Sequence, residues 1–411
     1  MPRGANLPVI AAFNETVLLD AIRRSEAGLS RVELVGATGL SAQTVTNVSR
    51  RLLAQGLIRE AGSRPVDGPG KPRTILQLEP TGSYALGVHL DPTVITCVLL
   101  DLESTVVEHT HRQSPVSGDA AETMALAAEA VAELLERSGV DRERVSGIGV
   151  AAPGPIDAGT GVMVSPPLVP GWSGLHLRDE LTAATGLPTL IAKDVTAAAV
   201  AERWRDPAGA SGNFAFVYYG TGVGVGLVLA NEVYTGASQN AGDVGHAIVD
   251  PGGALCPCGR RGCYGESVRP GQLVLQGIRD GVLAAPDGSG DGGDLDVEAV
   301  DELFTALTAA ASDGDVAAGR ILDRSIANTS LYLTNLSGLL DIDRVVFGGP
   351  SWARVEARYL ERLPLRLAAD DMGILTHPVT VASSAVGDDV AAVGAACLVL
   401  DRAFSPRSTL A

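Results

Sequence analysis

The chain has 411 residues, of which 46% are hydrophobic and 19% charged, and its formal net charge is −17. So apolar a chain can bury cores for two or three domains of ~150 residues, which excludes general disorder. It has no run of ~18 uncharged apolar residues and no signal-peptide pattern at its start, so we expect neither a membrane span nor secretion. Its acidic charge argues against nucleic-acid binding by the chain as a whole.

The charge is unevenly distributed along the chain. Residues 1–80, here called the head, carry ten basic and seven acidic residues, a net charge of +3, which leaves −20 for residues 81–411, the body. A small basic domain before a large acidic one predicts two functions, and any DNA contact has to come through the head. We therefore expect a domain boundary near residue 80.

The head begins with three predicted helices. Apolar residues at helical spacing predict a first helix from Asn14, which Gly28 ends. Ser30 caps a short second helix, with Glu33 placed as in a capping box. Ser41 caps a third helix, which has one apolar and one polar face. This order predicts a helix-turn-helix.

Two short strands around a turn-rich stretch, residues 62–70, complete a winged helix-turn-helix. In this motif the second helix of the helix-turn-helix enters the major groove, and a basic hairpin tip such as residues 68–73 suits the minor groove. The candidate DNA-binding residues lie on the polar face of the third helix and at the hairpin tip: Gln43, Thr44, Thr46, Asn47, Arg50, Arg51, Lys71 and Arg73. The alternative is a small helical domain with an ordinary solvated face, or one that binds protein.

From Tyr84 onwards, strands and helices alternate, which predicts an α/β body with ligands bound at the ends of the strands. The predicted strands cover residues 85–90, 94–101, 145–150, 189–192, 214–219 and 345–347, and the predicted helices cover residues 120–136 and 196–204. Residues 284–296 are rich in glycine and aspartate, which predicts a mobile surface loop.

Three of the five cysteines, Cys256, Cys258 and Cys263, lie within eight residues, and His246 precedes them. Three thiolates and one imidazole form a tetrahedral set that suits Zn²⁺. Four protein ligands leave no open position for a reactive water, so we expect one structural zinc ion per chain. The alternative is a group of buried free thiols. Cysteines that hold a metal also indicate a reducing cytoplasm.

Together these features resemble the ROK family (repressor, open reading frame, kinase), in particular its sugar-responsive repressors, over nearly the whole chain. The resemblance rests on the predicted winged helix, the cysteine cluster and several body motifs: residues 152–155, Asp194, residues 220–222, residues 242–246 and residues 348–349. It implies a two-lobed, actin-like ATPase fold of the sugar-kinase type with a sugar cleft between the lobes. It also implies a homodimer or homotetramer and a palindromic DNA operator.

The resemblance implies sugar-binding positions as well. Asp194 stands where the family's kinases have their catalytic base, although an aspartate there is also an ordinary helix cap. His246 stands where a histidine binds both zinc and sugar, and Asp243 replaces a glutamate. Gly265 replaces a second glutamate; Glu266 is the alternative carboxylate, shifted by one residue. The candidate ligand-binding residues are Gly154, Lys193, Asp194, Asp243, His246 and Glu266.

Lys193 stands where the family has a neutral asparagine, and two interpretations of it are open. The cation suits an anionic ligand, such as a sugar phosphate or a sugar acid. Alternatively, Lys193 pairs with Asp194 or Asp243 and fills an abandoned pocket.

The nucleotide site also departs from the family pattern. The first phosphate loop, Asp-x-Gly-Gly-Thr in the family, is His-Leu-Asp-Pro-Thr at residues 89–93. Pro92 has no N–H for a phosphate, Asp91 adds negative charge, and His89 replaces the metal-orienting aspartate. A second loop is retained, although its glycine turn also serves the fold: Gly220, Thr221 and Gly222. We therefore expect a vestigial nucleotide site and no enzyme activity.

These observations predict a cytoplasmic, DNA-binding transcriptional regulator of carbohydrate-related genes, a repressor rather than an activator. Its expected partners are double-stranded DNA, a sugar or sugar-derivative effector and further copies of the chain, and no membrane. One alternative is an ATP-dependent sugar kinase, which the substitutions at His89, Asp91, Pro92, Lys193 and Gly265 oppose. Another is a DNA-bound scaffold that takes no small ligand.

Overall fold

The computed structural model describes seven stretches of the chain, residues 7–65, 71–115, 118–167, 169–205, 212–286, 295–368 and 375–406. Half of the predicted hairpin tip, residues 68–70 of 68–73, and most of the predicted surface loop at residues 284–296 lie outside them. Within these stretches, no helix is both long and apolar enough to cross a lipid bilayer.

The head contains three helices and a three-stranded antiparallel sheet in the order β1-β3-β2. Its elements are α1 (Leu7–Arg23), β1 (Leu29–Ser30), α2 (Arg31–Thr38), α3 (Ala42–Ala54), β2 (Ile58–Arg64) and β3 (Arg73–Leu78). Ser30 and Glu33 exchange the two hydrogen bonds of the predicted capping box at the start of α2. The elements follow the order expected of a winged helix-turn-helix. The prediction that the first helix starts at Asn14 is wrong, because α1 already begins at Leu7.

The first lobe of the body is built on a mixed five-stranded sheet in the order β10-β7-β4-β5-β6. Its elements are β4 (Tyr84–Leu90), β5 (Val94–Asp101), β6 (Val106–Gln113), α4 (Ala120–Ser138), β7 (Val145–Ala152), β8 (Ile156–Asp157), β9 (Val162–Met163), α5 (Leu177–Thr185) and β10 (Thr189–Lys193). Because β4, β7 and β10 are parallel, their C-terminal ends lie at the same edge of the sheet.

The second lobe has a sheet in the order β13-β12-β11-β14-β15. Its elements are α6 (Asp194–Arg205), β11 (Phe214–Tyr219), β12 (Val223–Leu229), β13 (Glu232–Tyr234), α7 (Tyr264–Val268), α8 (Pro270–Arg279), α9 (Val297–Ser312), α10 (Val316–Leu340), β14 (Arg344–Gly348), α11 (Glu356–Ala368), β15 (Thr380–Ser383) and, at the end of the chain, α12 (Val390–Phe404). Every strand and helix predicted for the body occurs within two residues of its predicted bounds.

Helices α6 and α12 pack against each other between the two sheets. Helix α12 contacts β4 and β7 of the first lobe, and α6 contacts β11 and β12 of the second. The approach is so close that a Cβ atom at Gly87 or Gly149 would overlap the backbone of α12. This helix pair therefore joins the lobes into one packed body.

The head packs on the C-terminal ends of the same two helices. The guanidinium of Arg23, in the last turn of α1, lies 4.1 Å from the ring centroid of Trp204 and donates a 2.8 Å hydrogen bond to the Trp204 carbonyl oxygen. Buried apolar residues of the head and body belong to one continuous cluster. The head and the body therefore share one packed core across residue 80. The domain bounds 1–80 and 81–411 stay a prediction.

We expect Trp204→Ala to destabilise the full chain by about 3–5 kcal/mol, because a large aromatic side chain that is 4% exposed is lost from the junction. Urea unfolding monitored by circular dichroism measures the effect. Val316→Ala truncates an exposed side chain on α10 and serves as the matched control. An equal, small effect of both variants would contradict a packed junction between head and body.

Candidate functional site

The C-terminal edge of the first-lobe sheet meets loops of the second lobe, and this region between the lobes is called the cleft below. Strand β10 ends at Lys193, and Asp194 opens α6. The loop after β7 contains Gly154, and the facing second-lobe loop contains Asn240. The Asn240 side chain accepts a 2.7 Å hydrogen bond from the Ile156 N–H and donates one of 2.7 Å to the Ile156 carbonyl oxygen. This amide ties the two walls of the cleft together.

Lys193 is buried in this cleft, with 7% of its surface exposed. Its aliphatic stem runs past Gly154, where an added Cβ would stand 2.7 Å from the Lys193 Cε. Its Nζ donates a 3.3 Å hydrogen bond to the carbonyl oxygen of Asn240. Within the described residues, the Lys193 ammonium forms no ion pair with Asp194 or Asp243.

Asp194 combines features of a helix cap and of a buried acid. Its Oδ1 accepts a 2.7 Å hydrogen bond from the Val195 N–H, which is the local role of an aspartate at a helix start. Burial raises the pKa of the Asp194 carboxyl above its ordinary value, while the charges of His89 and Lys193 and the Val195 hydrogen bond oppose that rise. The pKa of the Asp194 carboxyl nevertheless ends above its ordinary value.

The other predicted ligand-binding residues differ in how exposed they are. Asp243 and His246 are exposed on the second-lobe loop. Glu266 is held by Arg269 through a 2.7 Å ion pair, and its side chain is 6% exposed. This ion pair occupies one oxygen of the carboxylate, and the role of Glu266 in ligand binding stays a prediction.

At the predicted nucleotide site, the Asp91 carboxylate of the first lobe contacts Thr221 in the glycine turn of the second lobe. Asp91 Oδ1 accepts hydrogen bonds from the Thr93 N–H at 3.0 Å and the Thr93 hydroxyl at 2.7 Å. It also accepts one from the Thr221 hydroxyl at 3.4 Å. The threonine of the retained loop therefore has an acceptor supplied by the chain itself, where a phosphate loop would offer its hydroxyl to a nucleotide or its metal ion.

Two polar atoms near Asp194 are buried without a hydrogen-bond partner among the described residues, His89 Nε2 and Tyr218 Oη. The two rings lie edge to face, with centroids 6.1 Å apart. Burial, followed by the charge of Asp91, raises the pKa of the Tyr218 phenol well above its ordinary value. Buried polar atoms normally have partners, so this pair marks a place where water or a polar ligand atom is expected.

The predicted metal ligands come together in the second lobe. The Sγ of Cys256 lies 3.5 Å from the Nδ1 of His246, and the Sγ atoms of Cys258 and Cys263 are 3.6 Å apart. All four ligand atoms lie within 4.8 Å of one another. Tetrahedral zinc with bonds of about 2.3 Å to sulfur and 2.0–2.1 Å to nitrogen requires separations of about 3.6–3.8 Å. The donor set and its spacing fit a metal ion with four protein ligands.

The polar face of α3 is exposed as predicted. Gln43, Asn47 and Arg50 are exposed, while Val45 and Val48 on the opposite face are buried. Gln43 Nε2 donates a 3.2 Å hydrogen bond to Asn47 Oδ1. The remaining candidates have other partners or lie off the helix. The Thr44 hydroxyl bonds Ser41, the Thr46 hydroxyl bonds the Ala42 carbonyl, Arg51 pairs with Glu15, Lys71 is exposed and Arg73 is half-buried.

The ROK family model matches residues 85–402, which is more than half of the chain. The chain belongs to the ROK family. It is 26% identical over 262 residues to the xylose repressor of Bacillus spizizenii, an alignment that covers 63% of this chain and 66% of that repressor, just under two thirds of its length.

Two solved structures share the fold of this ROK protein. A ROK family transcriptional regulator, described as a homologue of the E. coli MLC protein, has a TM-score of 0.76 at 21% identity and covers 96% of this chain and 98% of its own. The Streptomyces griseus ROK glucokinase in complex with glucose and AMPPNP has a TM-score of 0.63 at 24% identity. It covers 77% of this chain and 99% of its own.

Two residues of the cleft, Asn240 and Tyr218, were not predicted from the sequence. Asn240 is a single amide whose partner, Ile156, is 84 residues away in the chain, so no local pattern marks it. Tyr218 reads as a core residue of a buried strand; the only signal was its place two residues before the glycine turn.

Proposed function

We propose that this ROK protein is a DNA-binding transcriptional repressor of carbohydrate-related genes, controlled by a sugar or sugar derivative in the cleft. The observation that carries the proposal is the head, which presents the polar face of α3 to solvent ahead of the ROK region. The regulator structure spans the head and the body, whereas the glucokinase structure matches only about three quarters of the chain. The similarity to a xylose repressor supports a ligand of the sugar type.

The metal is proposed to be Zn²⁺, one ion per chain, with a structural role. His246, Cys256, Cys258 and Cys263 would complete its coordination. When bound, the ion would cross-link the second-lobe loop, and it would have no open position for a reactive water. His246 would link the metal site to the cleft, because the candidate ligand-binding residue Asp243 lies three residues before it on the same loop.

Helix α6 offers a direct route from the cleft to the head. It begins at Asp194 and ends one residue after Trp204, on which Arg23 of the head lies. Twelve residues of helix span about 18 Å. A ligand that shifts the first turn of α6 would therefore displace the head. In a homodimer or homotetramer, this changes the spacing of two heads on a palindromic operator.

Selection of bound sequences from a random DNA library by the full-length protein tests the proposal. We expect an inverted repeat to be enriched, with half-sites separated by about one turn of the double helix, 10–10.5 base pairs, or a multiple of it. The variant Gln43→Ala/Asn47→Ala, changed at two exposed α3 residues, should enrich no consensus. Failure of the unaltered protein to enrich any sequence would refute DNA-sequence recognition.

The second candidate function is an ATP-dependent sugar kinase, which the position of Asp194 at the start of α6 favours. The Asp91 carboxylate and Pro92 oppose it, because they leave the first phosphate loop without a glycine amide and with a negative charge. In a coupled assay of ADP release with glucose or xylose, we expect no turnover that depends on Asp194. Turnover that Asp194→Asn abolishes would establish the kinase.

A further inference from the structure

We propose that the cleft ligand carries an anionic group, a carboxylate or a phosphoryl group, and that the Lys193 ammonium binds it. The inference rests on the proposed function, since it assigns chemistry to the same cleft. It goes further by excluding a neutral sugar as the preferred ligand.

The Lys193 ammonium is buried without an ion pair to any of the described residues. Lys193 is 93% buried, and its one hydrogen bond goes to a neutral carbonyl oxygen, that of Asn240, at 3.3 Å. An ammonium has three donors, and burying its charge without a counter-ion is costly. An anionic ligand group would supply both the counter-charge and the missing acceptors.

One oxygen of each of two nearby carboxylates, Asp194 and Asp91, has another partner. Asp194 directs Oδ1 to the Val195 N–H, and Asp91 directs Oδ1 to Thr93 and Thr221. Asp243 is exposed on its loop. The negative charge of Asp91 opposes an anion, while burial raises the pKa of the Asp194 carboxyl. The ion pair of Lys193 with Asp194 or Asp243, the second interpretation offered by the sequence, is therefore absent among the described residues, although the charge of Lys193 still lowers the pKa of Asp194.

The Lys193 ammonium is held in place from both walls of the cleft. The Lys193 stem fills the space beside Gly154, where a side chain would collide with it. The carbonyl that accepts its hydrogen bond belongs to Asn240, whose side chain is fixed by two hydrogen bonds to Ile156 of the facing wall. A charged group positioned in this way by both walls has the arrangement of a binding group.

Binding is measured by isothermal titration calorimetry of the full chain with matched compounds: glucose, glucuronate, glucose 6-phosphate, xylose and xylonate. We expect at least one anionic compound to bind about tenfold or more tightly than its neutral parent, as a charge-assisted hydrogen bond allows. The comparison of glucuronate with glucose 6-phosphate separates carboxylate from phosphoryl recognition. A panel in which no anion binds more tightly than its parent overturns the inference.

Substitutions at one position sharpen the test. Lys193→Met keeps the stem beside Gly154 and should remove the anion preference, whereas Lys193→Arg should keep part of it. Lys193→Asn should shift the preference towards the neutral sugar. Arg366→Met removes an exposed charge on α11 and is the control. An anion preference that persists in Lys193→Met would also overturn the inference.

The two proposals fail in different ways. If the protein does not repress by binding DNA, the library selection yields no consensus whatever the ligand panel shows. If only the present inference is wrong, a consensus is enriched while the neutral sugars bind as tightly as their anionic derivatives.

Discussion

Replacing Cys258 with serine should release the metal and lower the melting temperature by about 10 °C or more. Structural zinc contributes about 10–16 kcal/mol in small zinc-finger peptides, and part of that is expected here. Cys256 and Cys263 are 3% and 0% exposed, whereas His246 and Cys258 are exposed, so the cluster joins the core of the second lobe to its surface. At ~2–4 °C per kcal/mol, a loss of several kcal/mol gives the expected shift.

Elemental analysis of protein purified without chelators, together with thermal unfolding, measures both effects. The unaltered chain should carry close to one zinc per chain. Cys397→Ala removes a buried thiol outside the cluster and should keep its zinc. A full equivalent of metal in Cys258→Ser would contradict the assigned ligand set.

Substitutions on α3 should produce the second large effect. Asn47→Ala should cost about 1–3 kcal/mol of discrimination at the base pair that it contacts, because an amide can bond a base edge at two points. Arg50→Ala should instead weaken binding to all sequences and reduce the slope of log affinity against log salt by about one. Both side chains are exposed on the polar face of the helix.

Fluorescence anisotropy with the selected DNA at several salt concentrations distinguishes these two roles. Arg402→Ala removes an exposed arginine from the body and is the charge-matched control. We expect a smaller effect for Thr46→Ala, since that hydroxyl already bonds the Ala42 carbonyl at 2.8 Å. If Arg50→Ala and Arg402→Ala behave alike, the DNA face lies elsewhere on the molecule.

Features with a local physical cause were predictable from the sequence. The capping box at Ser30 and Glu33 depends on residues three apart, and the Cys256–Cys263 cluster depends on residues within one loop. The body strands were marked by apolar runs that end at glycine or a polar residue. The ROK resemblance then implied the two-lobed architecture, which the family match and the fold confirm.

Features set by long-range packing were not predictable. Helix α10, which is 25 residues long, buries Ser325, Thr329, Ser330 and Ser337, residues with low helix propensity, so packing rather than local preference supports it. The contact of Asp91 with Thr221 joins residues 130 apart. The sequence showed that Lys193 adds a charge, but only the fold shows that neither Asp194 nor Asp243 pairs with it.

A ligand bound in the cleft should control DNA binding by the head. Anisotropy of the full chain on its selected DNA, titrated with the tightest-binding compound of the panel, tests this claim most directly. We predict that saturating ligand weakens DNA affinity by about 5- to 150-fold, the usual range for coupling between two sites. We also predict that Lys193→Met abolishes this response. An unchanged DNA affinity at saturating ligand would contradict the claim and favour a scaffold whose DNA binding takes no small-molecule signal.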